Sequence, residues 1–186
     1  MTTEGAREHT LEELTLSETI REIEQHVARG GWDGPPRVFA IIRTKEALAS
    51  SPELAQQMPE LPGQVEANEF AMLSIEQEDL PPADTLEELL GSLAWPPTVH
   101  GAALVVERVI VPPEAEVGMP SDPDEALSYL AEHPEREDVR LAVAVLRDGP
   151  SWCAIRTRRN DDPTQVALGP DLVPGLVAAL TATFED

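Results

Sequence analysis

The sequence is poor in the side chains that build most metal and nucleophilic sites. It contains one cysteine, Cys153, and four histidines, at positions 9, 26, 100 and 133 of 186 residues. One cysteine cannot form a disulfide within the chain, and a structural zinc site needs about four cysteine or histidine ligands close together. Because Cys153 lies between apolar neighbours in a strand pattern, we expect it to be buried and unreactive.

Aromatic residues and positive charge are also scarce. Aromatic side chains make up 4% of the chain, which leaves little material for a surface on which bases or sugars stack. Lysine and arginine together number 13 against 35 acidic residues, and the formal net charge is -22. Such a charge repels nucleic acid and anionic membranes, and it favours a basic partner or simple solubility. We therefore predict that the protein binds neither nucleic acid nor membrane.

Long apolar segments are absent. No run reaches the roughly 18 apolar residues that are needed to cross a membrane. Residues 1–15 are acidic and lack the apolar run of a signal peptide. The sequence therefore predicts a cytoplasmic protein.

The motifs that mark common active sites are missing as well. The phosphate-binding patterns GxGxxG and GxxxxGK[ST], the zinc-protease pattern HExxH and the nucleophile pattern GxSxG do not occur. Two acidic clusters, at residues 76–84 and 122–124, carry oxygen ligands of the kind that bind Ca²⁺, but the second lacks the glycine and the closing glutamate of a calcium loop. We expect both clusters to cap helices and face water. We predict no catalytic, cofactor-binding or metal-binding residue.

The strongest structural signal is a β-hairpin at residues 139–158. The segments VRLAVAVLR and SWCAIRTR are two apolar strands, and Asp148-Gly149-Pro150 supplies the turn between them. Both faces of the first strand are apolar, so both are expected to be covered. A hairpin alone is marginal in water, so further strands and helices must pack beside it.

Patterns elsewhere complete an α+β fold. Residues 37–43, 66–77 and 101–111 carry further strand patterns, and residues 59–63 are predicted to form a loop. The predicted order is roughly α-β-β-α-β-α-β-β-α, with a mostly antiparallel sheet of about five strands covered by N- and C-terminal helices. Residues 1–14 are predicted to be a disordered or frayed N-terminal arm, and residues 15–186 a single α+β domain.

Two amphipathic helices are the natural covers of the sheet. In the first, a capping box of Thr15 and Glu18 precedes an apolar stripe, and Glu24 falls on the polar face. The stripe consists of Leu16, Ile20, Ile23 and Val27. In the last helix, Asp171 is the predicted cap.

Several segments together resemble a known family. They are GWDGPPRVFAII (31–42), QEDLP (77–81), LEELLGSLAWP (86–96), GAALVVERVIVPP (101–113), VRLAVAVLRDG (139–149) and DLVPGLVAALTATF (171–184). As a set they resemble a small family of uncharacterised cytoplasmic proteins from high-GC Gram-positive bacteria, a family with no established activity and hence no catalytic residues to carry over. The order of elements is also similar to the secretion-chaperone-like fold, whose small, acidic, often dimeric members bind a segment of another protein.

Arginines gather around the hairpin although the chain as a whole is acidic. Six of the 13 basic residues lie within residues 136–159. This cluster could receive an acidic segment, from another protein or from the chain's own N-terminal region, or could drive self-association. Two tryptophans beside glycine and proline turns could flank one groove and anchor a partner, or pin loops onto the core. The candidate partner-binding residues are Arg140, Arg156, Arg158, Trp32 and Trp95.

These observations favour a non-enzymatic protein-binding or chaperone-like module, with a homodimer as one form of it. The alternative is an enzyme or a small-ligand-binding protein whose site is assembled only in the folded chain, from residues such as His100, Glu107, Arg140 and Asp148. A deep pocket with converging polar groups and perturbed ionisation would favour that alternative.

Overall fold

The computed structural model describes residues 8–147 and 149–185, and its main feature is a six-stranded antiparallel sheet. In chain order the elements are α1 (Leu11–Ala28), β1 (Arg37–Arg43), α2 (Thr44–Ser50), α3 (Leu54–Gln57), α4 (Leu61–Ala67), β2 (Met72–Glu76), α5 (Leu86–Gly91), β3 (Gly101–Ile110), α6 (Pro113–Glu116), α7 (Pro123–Glu132), β4 (Glu137–Leu146), β5 (Ser151–Thr157), a 3-10 turn (Pro163–Gln165), β6 (Ala167–Gly169) and α8 (Pro174–Ala182). The strands lie side by side in the order β2-β1-β3-β4-β5-β6.

The predicted α+β class, with an antiparallel sheet under terminal helices, is confirmed. β4 and β5 pair as the predicted hairpin. The sheet has six strands rather than five because β6 adds beside β5. A strand of only three residues is too short to show the alternation of apolar and polar side chains that marks a strand in sequence.

The sheet buries apolar side chains on both faces, because its central strands are apolar at nearly every position. The predicted stripe of α1 covers one face, where it packs with Phe39 and Val105. α5 and α8 cover the other face, where Leu180 belongs to the same cluster as Leu104 and Val143. Full burial of one such side chain stabilises the fold by about 1.5–3 kcal/mol, so the two covering layers dominate its stability.

Both predicted helix caps are wrong by a few residues. α1 begins at Leu11 and is capped by Thr10, whose hydroxyl accepts a backbone hydrogen bond at 3.1 Å. The acidic residues that follow Thr10 favour this start, because negative charge stabilises a helix N-terminus. Thr15 lies inside the helix, and its hydroxyl donates back to the carbonyl of Leu11. α8 begins at Pro174, which is suited to the first helical turn, and Asp171 lies outside the helix without capping it.

The segment before β2 contains more helix than the sequence pattern predicts. α4 occupies residues predicted as loop and strand, and β2 begins only at Met72. Pro62 is compatible with the helix because it stands in the first turn, where a backbone N–H has no helical acceptor. Asn68 ends the helix and accepts from the N–H of Phe70 with its side chain, which turns the chain toward β2.

The predicted division into an arm and a single domain stays a prediction. Residues 1–7 of the arm lie outside the described residues, and residues 11–14 begin α1. His9 packs edge-on against Trp152, with 4.8 Å between ring centroids, and its Nδ1 lies 2.7 Å from the carboxylate of Glu13.

Gly63 offers a test of the helical assignment of α4. An added Cβ at this position meets nothing within 4 Å. Gly63→Ala is expected to raise the free energy of unfolding by about 0.5–1 kcal/mol, because alanine favours a helix and narrows the unfolded ensemble. Urea unfolding followed by circular dichroism measures the change. A lower unfolding midpoint in the variant would contradict the helix.

Candidate functional site

Three charged side chains lie next to one another across the middle of the sheet. In the register of β3, β4 and β5, Glu107 is opposite Arg140, and Arg140 is opposite Arg156. Directly opposed residues of antiparallel strands point to the same face. All three side chains therefore lie on the face that α1 covers.

The buried carboxylate of Glu24 on α1 meets this row. It accepts from Nε of Arg156 at 2.9 Å and from Nη2 at 2.6 Å, and Nη1 of Arg140 lies 3.7 Å from its other oxygen. Burying a charge costs several kcal/mol unless it is paired, and breaking such a pair leaves that cost uncompensated. One carboxylate between two guanidinium groups is therefore an arrangement in which each member depends on the others.

The loop of residues 31–36, here named the tryptophan loop, follows α1 and closes over Arg140. Gly31 and Asp33 have positive φ angles of 83° and 67°, which turn the chain sharply after the helix. Nη2 of Arg140 donates to the carbonyl of Gly31 at 2.5 Å. The guanidinium carbon of Arg140 lies 4.3 Å from the centre of the Trp32 ring, within the range of a cation–π contact.

Three further side chains hold the tryptophan loop. Glu107 accepts from the N–H of Asp33 at 2.8 Å and from the next N–H along the chain at 2.7 Å. Nε1 of Trp32 donates to Asp161 at 3.1 Å, and Arg158 donates to Asp33 at 2.9 and 3.1 Å. Asp161 also accepts from a buried arginine of β5 at 3.0 Å. The loop and the buried charges thus form one hydrogen-bonded network.

Ionisation in this network favours the charged forms. The hydrogen bond from Arg158 holds the pKa of Asp33 below its usual value. On Arg156, burial opposes the charge, but the bonds to Glu24 and Asp161 outweigh it and raise the pKa of the guanidinium. These directions are those of structural ion pairs, whereas a general acid or base needs a pKa near the operating pH.

Four of the five candidate partner-binding residues belong to this network, and they differ in exposure. Arg140 and Arg156 are 1% and 4% exposed, so within the chain they contact Glu24 and the tryptophan loop rather than solvent. The side chain of Arg158 is 43% exposed, and Trp32 is half-buried. Arg158 is therefore the candidate arginine that a partner can reach without opening the fold.

Trp95, the fifth candidate, lies on the other face of the sheet. Its ring stacks on Phe184 with 5.7 Å between centroids, and its Nε1 donates to the hydroxyl of Thr183 at 2.9 Å. It belongs to the apolar cluster under α8. Trp32 and Trp95 therefore do not flank one groove.

Two clefts open beside the tryptophan loop. The first, here named the loop cleft, has a volume of about 580 Å³ and is lined by the loop together with Arg37, Glu76, Glu107 and Arg140. The second, the arginine cleft, has a volume of about 740 Å³. Its apolar lining is Val109, Leu127, Leu130 and Ala131, and its charged lining is Arg108, Arg136, Arg158, Asp33, Glu107 and Asp138.

His100 lies far from the other two described residues suggested for an enzyme site, Glu107 and Arg140, which are opposite each other in the sheet. His100 precedes β3 and Glu107 lies on that strand, so a rise of about 3.3 Å per residue separates them by roughly 23 Å. Nδ1 of His100 accepts from the N–H of Arg43 at 3.0 Å, and burial lowers the pKa of this histidine. Asp148 is also part of that set, and it lies outside the described residues.

The side chain of Cys153 is packed in the fold, and members of both acidic clusters cap a helix or form an ion pair. Cys153 is buried in β5, and burial raises the pKa of its thiol, so the sulfur stays protonated. In the described ranges, no group of three or more histidine, cysteine or acidic side chains could hold a metal ion. Asp122 caps α7 with its carboxylate, and Arg37 bonds Glu76 and holds the pKa of that carboxyl low.

Sequence reasoning missed the carboxylates that pair with the buried arginines. The prediction that Glu24 lies on the polar face of α1 is wrong, because Glu24 stands between Ile20 and Val27 inside the apolar stripe. That spacing, four residues after one stripe position and three before the next, is the signal from which its burial could be predicted. Asp161 carries no such signal, since it lies in a loop without a periodic pattern and one of its two partners, Trp32, is distant in the chain.

Comparison with known proteins gives a family and no relative of known structure. The model of the PPA1309-like protein family matches residues 16–185. No curated protein and no solved structure matches the chain. Within the part of the chain that the structure describes, no helix is both long and apolar enough to cross a membrane. The family match spans the whole sheet, the tryptophan loop and both clefts.

Proposed function

This chain belongs to the PPA1309-like protein family, and we propose that it is a non-enzymatic module that binds an acidic, partly apolar segment of another protein. The observation that carries the proposal is the arginine cleft, where uncovered apolar side chains lie beside two arginines, Arg108 and Arg136, that make no ion pair with any carboxylate the structure describes. Arg158 lines this cleft beside Asp33 of the tryptophan loop, and Arg140 and Arg156 hold that loop from beneath.

The apolar part of the cleft comes mainly from α7. No residue of α7 is buried, and Leu127 is 66% exposed. A single exposed leucine is ordinary, but Leu130 and Val109 line the same cleft. Removing such a surface from water favours binding by about 25 cal/mol per Å² of apolar area, which gives a partner segment with apolar side chains a reason to dock here.

The charges of the cleft favour an acidic partner. Asp33 and Asp138 are already paired with Arg158, at 2.9 and 3.6 Å. Arg108 and Arg136 donate to backbone carbonyls and have no carboxylate partner among the described residues. The third acid of the cleft, Glu107, is bonded to two N–H groups of the tryptophan loop, so two arginines remain for carboxylates of a partner.

The buried arginines act in this proposal as positioning residues. Arg140 and Arg156 do not face the cleft opening, but they hold Trp32 and Asp161 and hence the tryptophan loop. Asp33 of that loop lines the arginine cleft. A wall that is fixed before binding loses little conformational freedom when the partner arrives, which favours affinity.

The finer expectations belong to the same proposal. A chaperone-like role and a cytoplasmic setting rest on the resemblance in sequence and on the order of helices and strands. A homodimer would replace the foreign segment by a second copy of the chain. Light scattering distinguishes these cases, because a dimer that Leu127→Asp dissociates would place the second copy in the arginine cleft.

The loop cleft favours a second candidate function, the binding of a small ligand. Its volume of about 580 Å³ is ordinary for a ligand pocket. Arg140 lines it, and Nε and Nη1 of this arginine find no hydrogen-bond partner in the part of the chain that the structure describes. An acceptor oxygen of a ligand would satisfy them. Three glutamates, Glu76, Glu78 and Glu107, line the same cleft and oppose an anion, so protein binding remains the preferred function.

A labelled amphipathic peptide, with leucines on one side and glutamates on the other, tests the proposed function. We expect it to bind the full chain saturably in fluorescence anisotropy. Leu127→Asp is expected to weaken binding at least about tenfold, because a buried apolar anchor typically dominates such an interface. Reversing Arg108 and Arg136 together, each to glutamate, is expected to weaken it as strongly and to reduce its dependence on salt.

Leu168→Asp and Arg21→Glu are the matched controls. Leu168 is an exposed leucine of β6, and Arg21 is an exposed arginine of α1, and neither lines the arginine cleft. Both variants are expected to bind the peptide as the unaltered chain does. Equal losses in the controls and in the cleft variants, or no saturable binding at all, would argue against the proposed site.

A further inference from the structure

β2 forms an outer edge of the sheet. Among residues 8–147 and 149–185 it pairs with β1 alone, and no strand lies on its far side. Gln77 donates to the carbonyl of Val38 across this pair, and in an antiparallel register every second residue bonds in the same way. The residues in between, Met72, Ser74 and Glu76, therefore turn their N–H and C=O groups outward.

This edge has little protection against a further strand. Natural sheets blunt their edges with charged side chains, above all lysine, with proline, with a bulge or with a very short strand. β2 contains neither lysine nor proline, its one charged side chain, Glu76, is paired with Arg37, its register with β1 is continuous, and Ser74 and Ile75 are exposed. The opposite edge, β6, has only three residues. β2 is thus the edge that offers a usable ladder.

A groove of about 480 Å³ lies beside β2 and gives the edge a side-chain site. Its apolar lining is Ile75, Leu80, Leu93 and Trp95. The stack of Trp95 on Phe184 and its bond to Thr183 fix this wall before anything binds. Aromatic side chains held in this way are frequent anchors in protein interfaces.

The charged side chains of the groove are all acidic. Glu76, Glu78 and Asp79 line it, and none of the described lining residues is a lysine or an arginine. Arg37 neutralises Glu76, but Glu78 and Asp79 make no ion pair within the described residues. The groove therefore presents two uncompensated carboxylates beside an open strand and an apolar wall.

We infer that the β2 edge binds an extended segment of another protein in which apolar and basic residues alternate. The segment adds to the sheet as an outer strand, with backbone bonds to Met72, Ser74 and Glu76. Because side chains alternate along a strand, its apolar residues lie in the groove beside Trp95. Its basic residues neutralise the carboxylates at the rim. A second copy of this chain fits less well, because two-fold pairing would bring two acidic rims together.

This surface goes beyond the proposed function and shares no residue with the arginine cleft. The β2 edge prefers a basic partner, whereas the arginine cleft prefers an acidic one. A negative binding result at one surface therefore does not count against the proposal for the other surface.

A labelled peptide that alternates valine and lysine is the probe for the edge. We expect it to bind the full chain saturably in fluorescence anisotropy and to slow amide hydrogen exchange at residues 72–76. Ser74→Pro is expected to weaken binding at least about tenfold, because it removes an outward N–H at an edge position that tolerates proline. Glu78→Lys combined with Asp79→Lys is also expected to weaken binding by about tenfold, because it removes the carboxylates that attract the basic residues of the peptide. This second variant keeps the test decisive if Ser74→Pro fails to fold.

Reversing Glu114 and Glu116 of α6, each to lysine, is the matched control for net charge. Both are exposed acids, and neither lines the groove. We expect this control to bind the peptide at least half as tightly as the unaltered chain. An equal loss in the control, protection at amides other than those of β2, or equal binding of a valine–glutamate peptide overturns the inference. So does a dimer of the chain that Ser74→Pro dissociates, which would assign the edge to a second copy.

Discussion

Replacing Glu24 with leucine is expected to lower the free energy of unfolding by about 3–5 kcal/mol. The change leaves Arg140 and Arg156 buried with their shared carboxylate gone. Neither guanidinium can reach water without opening α1 or the tryptophan loop, so Arg140 keeps its desolvation cost without the compensating charge of Glu24, and Arg156 keeps Asp161 alone. A loss of this size is a large part of the about 5–15 kcal/mol that typically separates folded from unfolded domains. Urea unfolding at neutral pH measures it.

Glu22→Leu is the matched control on the same helix. Glu22 is exposed, so its replacement is expected to change the free energy of unfolding by no more than about 0.5 kcal/mol. A second variant tests the cause. Adding Arg140→Leu and Arg156→Leu to Glu24→Leu is expected to restore much of the lost stability, since a well-packed apolar set often matches a buried ion pair. If Glu24→Leu costs no more than Glu22→Leu, the carboxylate does not hold the network.

The second large effect is expected at Gly101, the first residue of β3. A Cβ added there would fall against the carbonyl oxygen of Val145 and within 2.9 Å of Leu146 Cδ2 and 3.2 Å of its Cα. Much of this obstacle is backbone of the paired strand β4, which cannot move aside by changing a rotamer. Gly101→Ala is therefore expected to destabilise the fold by about 1–3 kcal/mol through overpacking. Urea unfolding measures the loss.

Gly63→Ala is the contrasting substitution, because the same chemical change meets open space there. The two variants are expected to shift the unfolding midpoint in opposite directions. Hydrogen exchange adds a local measurement, since Gly101 is opposite Leu146 in the register of β3 and β4. Faster exchange at that end of the pair, with little change in α4, is the expected pattern. A neutral Gly101→Ala would mean that β4 can yield at this point.

The sheet could be predicted because its strands carry their signal locally. β1, β3 and the hairpin are apolar runs bounded by glycine and proline, and the stripe from Leu16 to Val27 has the period of a helix. β2 was harder, because residues 61–67 form a helix in a segment without a clear apolar stripe. β6 is held by pairing with β5 rather than by its own composition.

The candidate site could be predicted only in part. Arg140, Arg156 and Trp32 share one network, but their nearness depends on contacts between distant parts of the chain. Glu24 and Arg156 are 132 residues apart, and no local pattern relates them. The assignment of Glu24 to a polar face followed its charge rather than its position in the stripe. Position is the better guide here, because a charged group can be buried when the fold brings it a partner.

The lone thiol of this chain has a practical consequence for kinetics. Cys153 is fully buried in β5, and its side chain belongs to the apolar cluster that α5 and α8 cover, so a thiol reagent can reach it only when this covering layer or the sheet opens. Labelling can occur at a single thiol, and its rate under native conditions reports how often the protein opens around Cys153. The unmodified protein therefore carries its own probe of this local opening, without any engineered cysteine.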